Sequence, residues 1–117
     1  MKWLEVIKLR GAGTGEGLLE ELLRSLVKSG QSRELVGIKT YRHAALENDL
    51  SVHLHWESDR PEQNGTELGL RLARAFKEFG LMDHSIWIDE EEREKWTATL
   101  PKPKNLKAAL KSVTKNK

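Results

Sequence analysis

Two histidines separated by one residue are the side chains of this sequence best suited to chemistry. His53 and His55 belong to the alternating segment 50–56, in which apolar residues occupy the even positions. Because successive side chains of a strand point to opposite faces, both imidazoles lie on one face, about 6.6 Å apart along the strand. An imidazole that titrates near neutral pH can act as a general base, orient a substrate or ligate a metal. The pair is therefore the candidate site.

Side chains alternate between the two faces along every strand. Polar and aromatic residues at the matching alternate positions of neighbouring strands therefore share this face, if strands one and two flank the histidine strand. We predict His53 and His55 as catalytic or orienting groups, and as substrate-binding residues Glu5, Lys39, Tyr41, His43 and Trp87. The pattern leaves three interpretations open: a small-molecule pocket, a metal site, or a polar face that serves as a dimer contact. No third metal ligand follows from the pattern, so we assign no metal ligands.

The composition indicates a single globular domain. The chain has 117 residues, of which 38% are hydrophobic and 32% charged, enough for one modest core. No apolar run approaches the roughly 18 residues of a membrane-spanning helix, and Glu5 and Lys8 interrupt any signal-peptide core. The absence of cysteine excludes disulfides, thiolate metal sites and cysteine catalysis. We therefore expect a cytoplasmic protein without a membrane partner.

The net charge of +2 conceals a basic tail. Residues 101–117 contain six lysines and no acid. Removing these six from the 20 basic residues leaves 14 basic against 18 acidic residues in the rest of the chain. The excess of basic residues therefore lies in the tail. The rest of the chain has more acidic than basic residues, which argues against nucleic-acid binding by that part. We predict a domain over 1–90 and a basic C-terminal extension over 91–117.

The order of predicted elements indicates the fold. Strands are predicted at 3–9, 34–43, 50–56 and 82–89, and amphipathic helices at 18–27, ending at Gly30, and at 68–79, ending at Gly80. This βαββαβ order predicts an α+β, ferredoxin-like fold, an antiparallel sheet with two helices on one face. His84 shares the parity of Ile86 and Ile88, so we expect it to point inward with a hydrogen-bond partner.

The other face of such a sheet would be exposed in a lone subunit. By parity it carries the two histidines together with Tyr41, Trp87 and Ile7. Because this face is too aromatic for bare solvent, we expect it to be covered.

These features resemble the dimeric α/β-barrel superfamily, in particular the antibiotic-biosynthesis-monooxygenase-like domains. The residues that carry the resemblance lie within about 1–90: Trp3–Leu9, the leucine-rich first helix, Gly37, Val52–Trp56 with the following Glu57 and Ser58, and Ile86–Ile88. In these domains two sheets pack face to face and enclose a pocket in each subunit. The resemblance therefore implies a homodimer.

The activities of the superfamily range from cofactor-independent oxidation of aromatic substrates to haem degradation. Haem-degrading members carry a histidine on the second helix, whereas 68–79 has none, so we expect no haem and assign no cofactor. The resemblance implies a small-molecule-binding, monooxygenase-like protein in which Tyr41, His53 and His55 would deprotonate and hold a phenolic substrate. The alternative is a non-catalytic homodimeric interaction module, and the sequence is compatible with either.

Overall fold

The computed structural model describes residues 1–11, 16–30 and 32–99. These residues form four strands and three helices, in the order β1 (Lys2–Gly11), α1 (Glu16–Ser29), β2 (Leu35–Arg42), β3 (Asp49–Glu57), α2 (Glu67–Phe76), β4 (Gly80–Ile88) and α3 (Glu90–Thr99). The first six elements follow the predicted βαββαβ order, with ends that differ from the predicted ones by a few residues.

The four strands form one antiparallel sheet in the order β2-β3-β1-β4. β3 therefore lies between β1 and β2, which meets the condition for a shared histidine face. The core joins this sheet to α2 and to the inner side of α1, with Leu68, Leu72 and Phe76 of α2 packed on the strands. The α+β, ferredoxin-like fold is confirmed.

The buried face of the sheet is the one that meets the helices. β3 contributes its even positions, as expected, and β1 contributes Trp3, Ile7 and Leu9. The prediction that Ile7 shares the histidine face was therefore wrong, because Ile7 lies opposite Val52 and is fully buried. Val6 lies opposite His53 instead. β1 has apolar residues at both odd and even positions, so its alternation does not identify the inner face.

The start of α2 is fixed by its first residues. Thr66 is the N-cap, and its hydroxyl accepts a hydrogen bond from the amide of Gly69 at 3.0 Å. Gly65 precedes it with φ +94°, a left-handed conformation that favours glycine. α2 ends at Phe76, three residues before the predicted end, because residues 77–79 form a turn that leads into β4.

The predicted C-terminal extension begins with a helix. α3 carries three acidic residues in its first turn, Glu90, Glu91 and Glu92, where negative charge interacts favourably with the helix dipole. Residues 100–117, which include the lysine-rich tail, lie outside the described residues. Within the described ranges, none of the helices combines the length and apolar character needed to cross a membrane.

Candidate functional site on the histidine face of the sheet

The histidine face is the side of the sheet that points away from α1 and α2. The strand registers arrange its side chains in rows that run across the four strands. Two central rows contain the histidines: Gly37, His55, Leu4 and Trp87 in one, and Lys39, His53, Val6 and Ser85 in the other. The next row consists of Tyr41, Ser51, Lys8 and Asp83. Lys39, Tyr41 and Trp87 therefore share the face with the histidine pair, as parity predicted.

His53 is held by two neighbours on this face. Its Nε2 lies 3.0 Å from the hydroxyl of Ser51, and its ring centroid lies 4.7 Å from that of Tyr41. Burial lowers the pKa of His53 below 6.5, and the neighbouring His55 and Lys8 lower it further. His53 is therefore neutral at pH 7, so one ring nitrogen can accept a proton.

His55 has an unsatisfied polar atom. Its Nε2 is buried and makes no hydrogen bond to any of the described residues. A buried polar atom without a partner costs free energy, so it calls for an explanation, such as a bound water, a ligand or a catalytic role. Gly37 lies opposite His55 on the edge strand, and an added Cβ there would approach the His55 Cβ to 3.7 Å, an ordinary contact. The imidazole therefore lies over Gly37, where a larger side chain would crowd it.

Two aromatic side chains flank the face at its edges. Trp87, on edge strand β4, is 59% exposed, and its indole N–H donates to the Ser85 hydroxyl at 2.8 Å. Tyr41, on edge strand β2, is 49% exposed. Between them lie the aliphatic side chains of Leu4 and Val6 and the two imidazoles. An aromatic ligand would thus meet an apolar floor, two aromatic walls and two imidazoles.

A groove of about 470 Å³ continues from this face at one end of the sheet. It shares Lys8, Tyr41 and Ser51 with the histidine face and extends to His43, whereas neither His53 nor His55 lines it. His43 follows the end of β2, and its Nδ1 accepts the backbone N–H groups of Ala45 and Leu46 at 3.0 and 3.1 Å. The structure therefore places His43 beside Tyr41, apart from the histidine pair.

Glu5 was expected on the histidine face, and this placement is wrong. It lies opposite Leu54 on the helix face and is fully buried. Its carboxylate accepts hydrogen bonds from the Trp56 indole at 3.1 Å and from the Thr66 amide and hydroxyl at 3.0 and 2.6 Å, and His84 Nε2 lies 2.6 Å from it. These partners offset the cost of burying a carboxylate. His84 points inward with a partner, as predicted.

The structure adds side chains to the site that sequence reasoning did not identify. Lys8 and Ser85 have polar groups on the histidine face, and Leu4 and Val6 form its floor. The signal for Leu4, Val6 and Lys8 was the parity of β1, where Glu5 suggested the wrong assignment of inner and outer residues; Ser85 has the parity of Trp87 on β4. Among residues 1–11, 16–30 and 32–99, no three histidine, aspartate or glutamate side chains are grouped so that they could hold a metal ion.

The comparisons with known proteins support the fold. No family model and no curated protein sequence matches this chain. The solved structure of Rv0793 from Mycobacterium tuberculosis is similar, with a TM-score of 0.57 and 12% identity over 76% of this chain and 95% of that chain. At this identity the similarity shows the fold alone. The protein is therefore an α+β protein of the ferredoxin-like class, and α1 and α2 leave one face of its sheet uncovered.

Proposed function

We propose that this protein binds a small aromatic molecule on its histidine face, as a homodimer of the dimeric α/β-barrel type. The observation that carries the proposal is the unsatisfied Nε2 of His55 beside His53, on a floor of aliphatic side chains between two exposed aromatic ones. Binding sites commonly combine an apolar lining with a few polar groups that fix orientation.

A second copy of this chain is proposed because the same face carries exposed aromatic side chains. Trp87 and Tyr41 remain largely exposed in the single chain, although large aromatic side chains usually find cover. Packing of two such faces would bury both rings and turn an open surface into a closed pocket. The sequence resemblance to the dimeric α/β-barrel superfamily and the similarity of fold to Rv0793 support this arrangement.

Oxidation of the bound molecule is the reaction that the resemblance suggests. His53 is neutral at pH 7 because its pKa is lowered, so it can accept the proton of a phenol. When its Nε2–H donates to Ser51, Nδ1 keeps the lone pair that a phenolic proton needs. Molecular oxygen then supplies one atom to the ring and leaves the other in water, as in the conversion of 1-naphthol and O2 to 1,4-naphthoquinone and water.

Binding and oxidation are tested separately with 1-naphthol. Calorimetric titration measures binding, and an oxygen electrode with product chromatography measures quinone formation. We expect the His53→Ala/His55→Ala variant to lose binding while it sediments as a dimer. The Arg71→Ala/Arg74→Ala variant removes two exposed basic side chains from α2 and is expected to bind as the wild type does.

The alternative function is a non-catalytic homodimeric interaction module. The exposed Trp87 favours it, because interface centres are enriched in tryptophan. Loss of the dimer in the double histidine variant, without 1-naphthol binding by the wild type, would support this alternative. Unchanged 1-naphthol binding by that variant would contradict the proposed site.

A further inference from the structure

The two central rows of the histidine face contain no carboxylate. Their polar side chains are Lys39, His53, His55 and Ser85, and the remaining positions are glycine, aliphatic or aromatic. The acidic residues of this face belong to other rows: Glu57 lies opposite Lys2, Asp83 opposite Lys8, and Asp49 opposite Arg10. The two central rows therefore carry the positive charge of Lys39 and have no carboxylate that would repel an anion.

Two lysines beside the imidazoles are available to a ligand. Lys39 lies directly opposite His53, and Lys8 lies one row away, opposite Ser51. Both side chains are exposed, and neither makes an ion pair within the described part of the chain. Burial is the main cause of the lowered pKa of His53, and the neighbouring His55 and Lys8 lower it further. The positive charge of Lys8 would also attract an anion to this face.

The dimensions of the central rows suit a planar molecule of one or two fused rings. Trp87 on β4 and Gly37 on β2 are separated by three strand spacings, about 14 Å in all. Leu4 lies within that span, and Val6 occupies the next row. At the β2 end of this span the His55 side chain lies over Gly37, where an added Cβ would be 3.7–3.9 Å from the His55 Cβ and ring carbons.

From this arrangement we propose that the ligand is an aromatic carboxylate. Its ring lies on Leu4 and Val6 next to Trp87, and its carboxylate is held by Lys39 and the two histidines. The Lys39 ammonium would donate to the carboxylate directly, and a rotation of the His55 side chain would bring its buried Nε2–H to the same group, which gives the unsatisfied nitrogen a partner. This inference rests on the proposed function and specifies the chemical class of its ligand.

The test compares two ligands of nearly equal shape and different charge. At pH 8, 2-naphthoate is an anion and 2-naphthamide is neutral, so calorimetric titration of the full chain with each measures the preference for charge. We expect 2-naphthoate to bind about tenfold more tightly or better, since a hydrogen bond to a charged group contributes about 1.5–3 kcal/mol. Lys39→Met should remove most of this preference, and Lys39→Arg should restore it.

Lys2→Met is the matched control, because Lys2 is an exposed lysine of the same face that lies opposite Glu57. We expect it to keep the full preference. Equal binding of both ligands, tighter binding of the amide, or a preference that Lys39→Met leaves intact would overturn this inference while the proposed function stands. Failure of both ligands to bind would count against the proposed function and this inference together.

Discussion

The carboxylate of Glu5 lies 2.6 Å from Nε2 of His84, across two neighbouring strands of the helix face. Both groups lie inside the protein, since the Glu5 side chain is fully buried and that of His84 is 13% exposed. Thr66 adds two further donors from the start of α2. This pair therefore connects β1 and β4 to the helix above them and fixes the sheet that carries the histidine face.

Removal of the Glu5 charge should destabilise the fold. In Glu5→Gln the amide group brings donors to a place where four donors already converge, so at least one buried hydrogen bond is lost. We expect a loss of about 2–4 kcal/mol in the free energy of unfolding, measured by urea denaturation. Glu57→Gln, at an exposed position of the same sheet, should change it by less than about 0.5 kcal/mol. Equal effects of the two substitutions would show that the buried carboxylate has no special role.

A methyl group at Gly69 should be poorly tolerated. A Cβ there would overlap the Glu5 carboxylate beneath the first turn of α2. We expect Gly69→Ala to cost about 1–3 kcal/mol in thermal or urea denaturation, although alanine is the better helix former. Gly17→Ala in α1 is the control, because its Cβ would meet nothing within 4 Å, and it should leave stability unchanged or raise it by up to about 1 kcal/mol. Stabilisation by both substitutions would contradict the packing of α2 on Glu5.

The protonation of His53 should make stability depend on pH. The unfolded chain binds a proton at His53 with a pKa near 6.5, whereas the folded chain binds it less readily. The unfolded state therefore holds more protons as pH falls through 6.5, and the folded state loses stability in that range. We expect the wild type to lose more stability than His53→Gln between about pH 7.5 and 5.5, in urea denaturation at fixed protein concentration. Parallel curves for the two proteins would show that His53 titrates alike in both states.

A side chain at position 37 should block the proposed site. Gly37→Leu would place its branched end beside the His55 ring, since even a Cβ there is already in van der Waals contact. We expect 1-naphthol binding to fall at least about tenfold, measured by calorimetric titration. Thr40→Leu, on the opposite face of the same strand, should leave binding unchanged. If Gly37→Leu binds 1-naphthol as the wild type does, the ligand does not use the space beside His55.

The sequence predicted the fold because the hydrophobic residues of its helices and of β3 recur with regular spacing. The even positions of β3 are all apolar, and the leucines of α1 and α2 follow the helical period, so element order and sheet topology followed from them. The face of β1 could not be assigned in the same way. Glu5 suggested an outward position, since buried carboxylates are rare, and its donors come from residues 51 to 79 positions away in sequence.

The candidate site was predictable only in part for a related reason. The alternation of β3 placed His53 and His55 on one face, and the assumed strand order added Tyr41, Lys39 and Trp87 by the alternation of their own strands. Lys8 joined them through the pairing of β1 with β3 and β4, which depends on turns and long-range packing. The unsatisfied nitrogen of His55 is a property of three-dimensional packing, and no spacing in the sequence reveals it.

The measurement that tests the central claim most directly is an NMR titration of the 15N-labelled protein with 1-naphthol. The tryptophan indoles report on both faces at once, because Trp87 lies on the histidine face whereas Trp3 and Trp56 are stacked in the core on the other. We expect saturable shifts of the His53 and His55 ring signals and of the Trp87 indole N–H, with those of Trp3 and Trp56 nearly unchanged. Shifts confined to other parts of the protein, or no shifts at all, would contradict a ligand site on the histidine face.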